Sequence, residues 1–302
     1  MNAPDPVTDG DTNKSRRTFL SLGSAEAAVA TFSAIAASAA APIGAAAEAQ
    51  SLSVGDTDIL NFALNLEYLE AEYYLRGVVG LTLDQALRGN FGGTVRGGRK
   101  VTFSNPLHDG IMRNITEDEM HHVAFLHSAN GSAAVPRPPI DFDAGFAAVG
   151  QAAGLPGFDP FANELNFFLG AFLFEDVGVT AYKGSARNIR NKQILESAAG
   201  ILASEGYHAG SIRTVIYKMG GAWRQGAAAI SNTRDQLDGP QDLDQPVDTV
   251  GPMSNVVPSN YNGIAYGRTP QHVLNIVYGN PAAGIMQGGF FPEGLNGRIR
   301  ST

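Results

Sequence analysis

The 302-residue chain contains no cysteine. That absence excludes disulfides, thiolate metal sites, iron–sulfur clusters and cysteine nucleophiles. Any metal must therefore be held by carboxylates and imidazoles. Charge is scarce, at 17% of residues, and its balance is acidic, with 21 Lys and Arg against 29 Asp and Glu. The formal net charge of −8 makes nucleic acid and anionic membrane surfaces poor partners. No segment shows the strict alternation of a half-buried β-strand, so an all-α fold is expected.

The first fifty residues hold an adjacent arginine pair. "SRRTFL" (Ser15 to Leu20) precedes the Ala-rich stretch "SLGSAEAAVATFSAIAASAAAPIGAAAEA". The pair and its followers resemble the twin-arginine export signal of bacteria, a route that moves proteins already folded. Ala47-Glu48-Ala49 has the small-x-small pattern of a cleavage site. A membrane anchor is disfavoured, because the stretch is only mildly hydrophobic and is broken by Glu26 and Pro42. Residues 1–49 are therefore set apart as a signal peptide. They carry five acids (Asp5, Asp9, Asp11, Glu26, Glu48) and three bases (Lys14, Arg16, Arg17), net −2, which leaves −6 for the rest.

Four helical runs follow. The first, residues 55–80, can be capped by Asp56 or Thr57 and ends at Gly77 and Gly80. The second, residues 105–129, opens with Asn105 as cap and Pro106 in the first turn. A Pro/Gly-rich stretch of roughly thirty residues leads to the third, residues 159–186, with Asp159 as its expected cap. A short link leads to the fourth, residues 191–221, stopped by Gly220-Gly221. One long and one short link is the connection pattern of ferritin-like four-helix bundles. The bundle is expected over residues 50–221. Residues 222–302 read as an irregular, loop-rich extension packing on it, with one short helix in "TPQHVLNIVYG" after Thr269.

Two helices contain Glu-x-x-His: Glu119 with His122, and Glu205 with His208. Twelve Glu and six His in this length give about 0.24 chance occurrences. A three-residue step puts both side chains on one helix face. Ile115 and Leu126 flank the first pair, and Ile201 and Ile212 the second, at the same spacing. Each pair thus lies in a core-facing aliphatic stripe, where a bare carboxylate is costly unless paired or metal-bound. In the first and third helices, Glu67 and Glu175 each precede a tyrosine, Tyr74 and Tyr182, by seven residues. The order Glu, Glu-x-x-His, Glu, Glu-x-x-His is the ligand pattern of ferritin-like di-iron and di-manganese carboxylate proteins. Four carboxylates balance two divalent cations, and this donor set suits iron or manganese.

Other residues have plainer readings. His121 and His127 are expected at the surface or in structural contacts, and His272 likewise. Glu70 and Glu72 are expected in solvent or behind the ligands, with Glu70 the rival of Glu67. Tyr74 and Tyr182 are core aromatics or, beside a metal, catalytic candidates that hydrogen-bond a carboxylate or carry a radical. Gly206 weakens the fourth helix, or permits close packing there.

"ILNFALNLEYLEAEYY" (Ile59 to Tyr74), "YGRTPQHVLNIVYG" and "GGFFPEGLNGRI" resemble segments of the desiccation-related protein group, which has a ferritin-like domain. The resemblance runs from about Val54 to Ile299 and implies an exported bundle associated with water loss or oxidative stress. The first functional reading is a redox enzyme of the periplasm or cell envelope. Its cofactor is two Fe or Mn ions held by Glu67, Glu119, His122, Glu175, Glu205 and His208, with Glu119 and Glu205 bridging. Expected partners are the twin-arginine export machinery and a small oxidant; an oligomer is allowed, and a stable membrane span in the mature chain is not. The alternative is a protective envelope protein with no turnover.

Overall fold

The computed structural model describes residues 54–248 and 253–302, so the expected signal peptide lies outside the described residues. The first helix, α1 (Val54–Tyr74), continues into a π turn at Leu75–Val79. Gly80 closes it in the left-handed region at φ 84°, a conformation that glycine adopts without steric cost. Asp56 sits in the first turn. Its carboxylate also accepts the backbone N–H groups of Arg190 and Asn191, which ties the start of α1 to the link between the last two bundle helices.

After a short helix α2 (Leu83–Ala86) and strand β1 (Val95–Arg96), α3 runs over Pro106–Asn130. The Asn105 side chain caps it as expected, accepting from Leu107 N. The crossover is more ordered than its composition suggests. Strand β2 (Ile140–Asp141) pairs in parallel with β1, Val95 opposite Ile140. An unexpected helix, α4 (Phe142–Ala152), follows. Arg137 anchors the crossover through ion pairs to Glu72 and to Asp84, the latter at 2.8 Å. Glu72, expected in solvent or behind the ligands, is fully buried, paired with Arg137 and with Arg76 at 2.8 Å.

The third and fourth bundle helices are α5 (Glu164–Ala186) and α6 (Lys192–Met219). Asn163, not Asp159, caps α5, accepting from Asn166 N. Asp159 instead accepts from Phe161 N and pairs with Arg99. Asn191 caps α6. The four long helices pack chiefly as two pairs, α1 with α3 and α5 with α6. This is the all-α, ferritin-like arrangement expected. Among the described residues no helix is long and apolar enough to cross a membrane.

The C-terminal extension departs from its loop-rich expectation. An 18-residue helix, α7 (Gly221–Asp238), follows α6 directly, and α8 (Pro270–Tyr278) has its expected Thr269 cap. Three arginines and three aspartates bind the extension to the bundle. Arg213, Arg234 and Arg268 are each no more than 1% exposed. Asp176 of α5 takes Arg213 at 2.7 Å and Arg234 at 2.9 Å. Asp244 takes Arg234 at 2.6 Å and also Arg268, and Asp238 takes Arg268 at 2.6 Å. Arg268 N donates to Thr180 O, and a Cβ on Gly184 would lie 2.7 Å from the Arg268 carbonyl carbon. Farther along, Asn296 exchanges hydrogen bonds with the Asn65 side chain of α1. The extension thus runs from α5 and α6 round to α1.

Candidate metal centre

The two Glu-x-x-His stripes face inward. Ile115, Glu119, His122 and Leu126 are all buried, as are Ile201, Glu205, His208 and Ile212. Glu67 of α1 and Glu175 of α5 are fully buried beside them. The six predicted residues converge into two groups whose donor atoms lie within 4.8 Å of one another. One is Glu67, Glu119, His122 and Glu205; the other is Glu175, Glu119, His208 and Glu205. Glu119 and Glu205 belong to both.

The histidines aim Nδ1 at these carboxylates. His122 Nδ1 is 3.2 Å from Glu67, 3.5 Å from Glu119 and 3.6 Å from Glu205. His208 Nδ1 is 3.0 Å from Glu119 and 3.1 Å from Glu175. Its other nitrogen, Nε2, is 3.3 Å from Asp118 Oδ2, so an acidic side chain orients the ring from behind. The tyrosines cross over. Tyr74 of α1 donates to Glu175 of α5 at 2.5 Å, and Tyr182 of α5 donates to Glu67 of α1. Each tyrosine thus serves the carboxylate of the facing helix rather than the glutamate that shares its own face.

The electrostatics are those of several carboxylates crowded together out of water. Burial pushes the Glu67 carboxyl up to about 7; His122 opposes the rise and Glu119 adds to it. Burial, then Glu119 and Glu175, hold Glu205 well above the carboxylate range. Burial also raises Glu175, against His208. Burial opposes ionisation of Glu119 too, but His122 and His208 hold it below the usual range. Burial lowers His122, yet Glu67 and Glu119 carry it up to about 10.

These residues fit bound divalent cations. Glu119 Oε1 has His208 Nδ1 at 3.0 Å, but both oxygens of Glu205 are buried with no hydrogen bond, His122 Nδ1 lying 3.6 Å from Oε1. Two such acceptors at the junction of two donor sets are costly in a protein interior without a cation. Gly178 supports the arrangement: a Cβ there would lie 3.0 Å from Glu205 Cδ and closer still to Oε2. The Glu205 carboxylate occupies the space that a side chain at 178 would fill.

Of the two places expected for Glu70, solvent or behind the ligands, the structure gives the second. It is buried, with Oε1 3.4 Å from that same absent Cβ. Burial and the neighbouring Glu119, Glu67 and Glu175 hold it well above the usual range. It nonetheless belongs to neither donor group, which Glu67 does. His127 is exposed, edge-on to Phe91. A Cβ on Gly206 would meet nothing within 4 Å, so that glycine serves no close helix contact. The missed residues are Asp118, which carried no stripe signal, and the arginines that hold Asp176.

The ferritin-like domain model matches residues 55–218. The ferritin-like catalase Nec2 of Nesocodon mauritianus is 31% identical over 268 residues, covering 81% of this chain and 84% of its own. The desiccation-related protein PCC13-62 of Craterostigma plantagineum is 29% identical over 281 residues, covering 84% of this chain and 87% of its own. No solved structure matches the chain. With four helices converging on buried carboxylate and histidine clusters, and with these relatives, the chain belongs to the ferritin-like domain family.

Proposed function

We propose that the protein is a dinuclear-metal catalase that disproportionates hydrogen peroxide. The observation that carries this reading is the pair of four-residue donor groups sharing Glu119 and Glu205, with both Glu205 oxygens buried and without a hydrogen bond. The catalase named among its relatives supports the choice of reaction. Glu67, Glu119, His122 and Glu205 would hold one ion, and Glu175, Glu119, His208 and Glu205 the other. Two bound iron or manganese ions would supply a two-electron redox reservoir, so that two H2O2 yield O2 and two H2O with no outside reductant.

The chain's own contribution is positioning. The Tyr182 and Tyr74 hydroxyls fix Glu67 and Glu175, leaving each carboxylate one oxygen turned to a histidine. Asp118 holds the His208 ring. Burial excludes bulk water, which strengthens each charge interaction in the site. The same tyrosines are oxidisable side chains hydrogen-bonded directly to residues of the donor groups. The Arg16-Arg17 pair and the Ala-rich run after it support export of the folded protein toward the periplasm or cell envelope by the twin-arginine machinery.

The test is oxygen evolution from hydrogen peroxide by metal-loaded protein. Stoichiometric O2, one per two peroxides, lost in Glu119→Ala/Glu205→Ala, supports the reading. Metal bound at full stoichiometry without O2 evolution would favour the protective reading, to which the desiccation-related relative points.

A further inference from the structure

Two cavities open along the seam between α1 and α5, and both end on the same residues. One lies toward α8, walled by Leu69, Phe174, Val177, Ile276 and Phe290. The other lies toward the start of α1, walled by Leu60, Ala63, Ala181, Tyr182 and Ser185. Leu66, Glu70 and Gly178 line both. Each holds about 20 Å³, room for one water-sized molecule.

The shared residues abut the metal centre. Gly178 has no side chain, and behind it lies Glu205, a member of both donor groups. Glu70 brings Oε1 to the same void. Tyr182, on the wall of the second cavity, donates to Glu67. The seam therefore reaches the centre on the side of Glu67 and Glu205. Its walls are almost wholly apolar, and its one carboxyl group is the buried Glu70.

We propose that the α1–α5 seam is the route by which hydrogen peroxide reaches the centre, with Leu66 as its size filter and Glu70 as the polar group that receives the molecule. The proposal rests on the catalase reading for its substrate. Apolar walls exclude ions, because moving a charge into them is costly. A peroxide enters because it is neutral, and Glu70 replaces a hydrogen bond that it gives up to water. The small volume admits H2O2 and rejects alkyl hydroperoxides. Superoxide is excluded by its charge.

Two readouts test this, one of them independent of turnover. Crystals of Leu66→Ala, which enlarges both cavities, should show xenon in the seam under pressure, and adding Ala63→Phe should remove it from the cavity that Ala63 lines. With metal content equal to wild type, Ala63→Phe should lower kcat/KM for hydrogen peroxide at least tenfold. Leu66→Ala should admit tert-butyl hydroperoxide, raising its consumption at least tenfold. Xenon absent from the seam of Leu66→Ala would overturn the proposal. So would wild-type kcat/KM in Ala63→Phe together with no gain in Leu66→Ala. A metal-loaded wild type that leaves peroxide untouched would refute the catalase reading, and the xenon result would then decide the seam by itself.

Discussion

Gly178 packs against the Glu205 side chain and Gly206 follows Glu205 in α6, and replacing each by alanine should give opposite results. At Gly178 a Cβ would lie 3.0 Å from Glu205 Cδ and well inside contact with Oε2. Glu205 is fully buried, so its carboxylate must move away from the void and out of both donor groups. Overpacking costs about 1–3 kcal/mol, partly offset by up to about 1 kcal/mol of helix propensity. The metal-free Gly178→Ala protein should thus lose at most about 3 kcal/mol and stay folded. Its metal content should drop to less than half of wild type, because Glu205 serves both groups. At Gly206 nothing lies within 4 Å of a Cβ, and the position is exposed in mid-helix. Gly206→Ala should stabilise the fold by about 0.5–1 kcal/mol and leave metal content unchanged. Thermal melting and elemental mass spectrometry on both variants provide the comparison. Full metal content in Gly178→Ala would refute the argument that the missing side chain makes room for Glu205.

The other predictions concern the groups around the centre. Asp176→Ala leaves Arg213 and Arg234 buried without their shared carboxylate and should cost about 3–5 kcal/mol in denaturant unfolding. Tyr182→Phe removes the hydrogen bond to Glu67. It should lower oxygen evolution at least tenfold while most of the metal is retained, measured on the same preparation. In the metal-free protein Glu67 is raised from 4.5 to about 7 and His122 from 6.5 to about 10. Both raised values mean stability present below the ordinary value and lost as pH rises through the folded one. Melting temperature should therefore fall from about pH 5 to pH 10. Metal affinity should rise over the same window, because binding expels those protons.

The candidate site was readable because a three-residue step and a seven-residue step both return to the same helix face. Glu119 with His122, Glu205 with His208, and the positions of Glu67 and Glu175 followed from that geometry. The crossed tyrosine bonds did not, since they depend on how α1 faces α5 across the bundle. Helix α4 carried a signal in Phe142, Phe146 and Val149, all buried, but its glycines and flanking prolines hid it. Helix α7 was missed for a different reason. Its buried face is built of Gly226, Ala227, Ser231, Thr233 and Arg234, with Ile230 the one large aliphatic residue. A face so small and polar has no apolar period to detect. The fully buried arginines, paired with aspartates distant in sequence, look like surface charge until the chain is folded. Nothing local in the sequence shows that the α1–α5 seam encloses Glu70, which leaves both solvent and a place behind the ligands open.

The central claim is that Glu119 and Glu205 join two metal sites. The most direct measurement is elemental mass spectrometry on residues 50–302 purified in folded form, beside the Glu119→Ala/Glu205→Ala variant. The account predicts about two iron or manganese ions per chain in the wild type, from the two donor groups, and essentially none in the variant. A folded wild-type protein that binds no stoichiometric metal would contradict it.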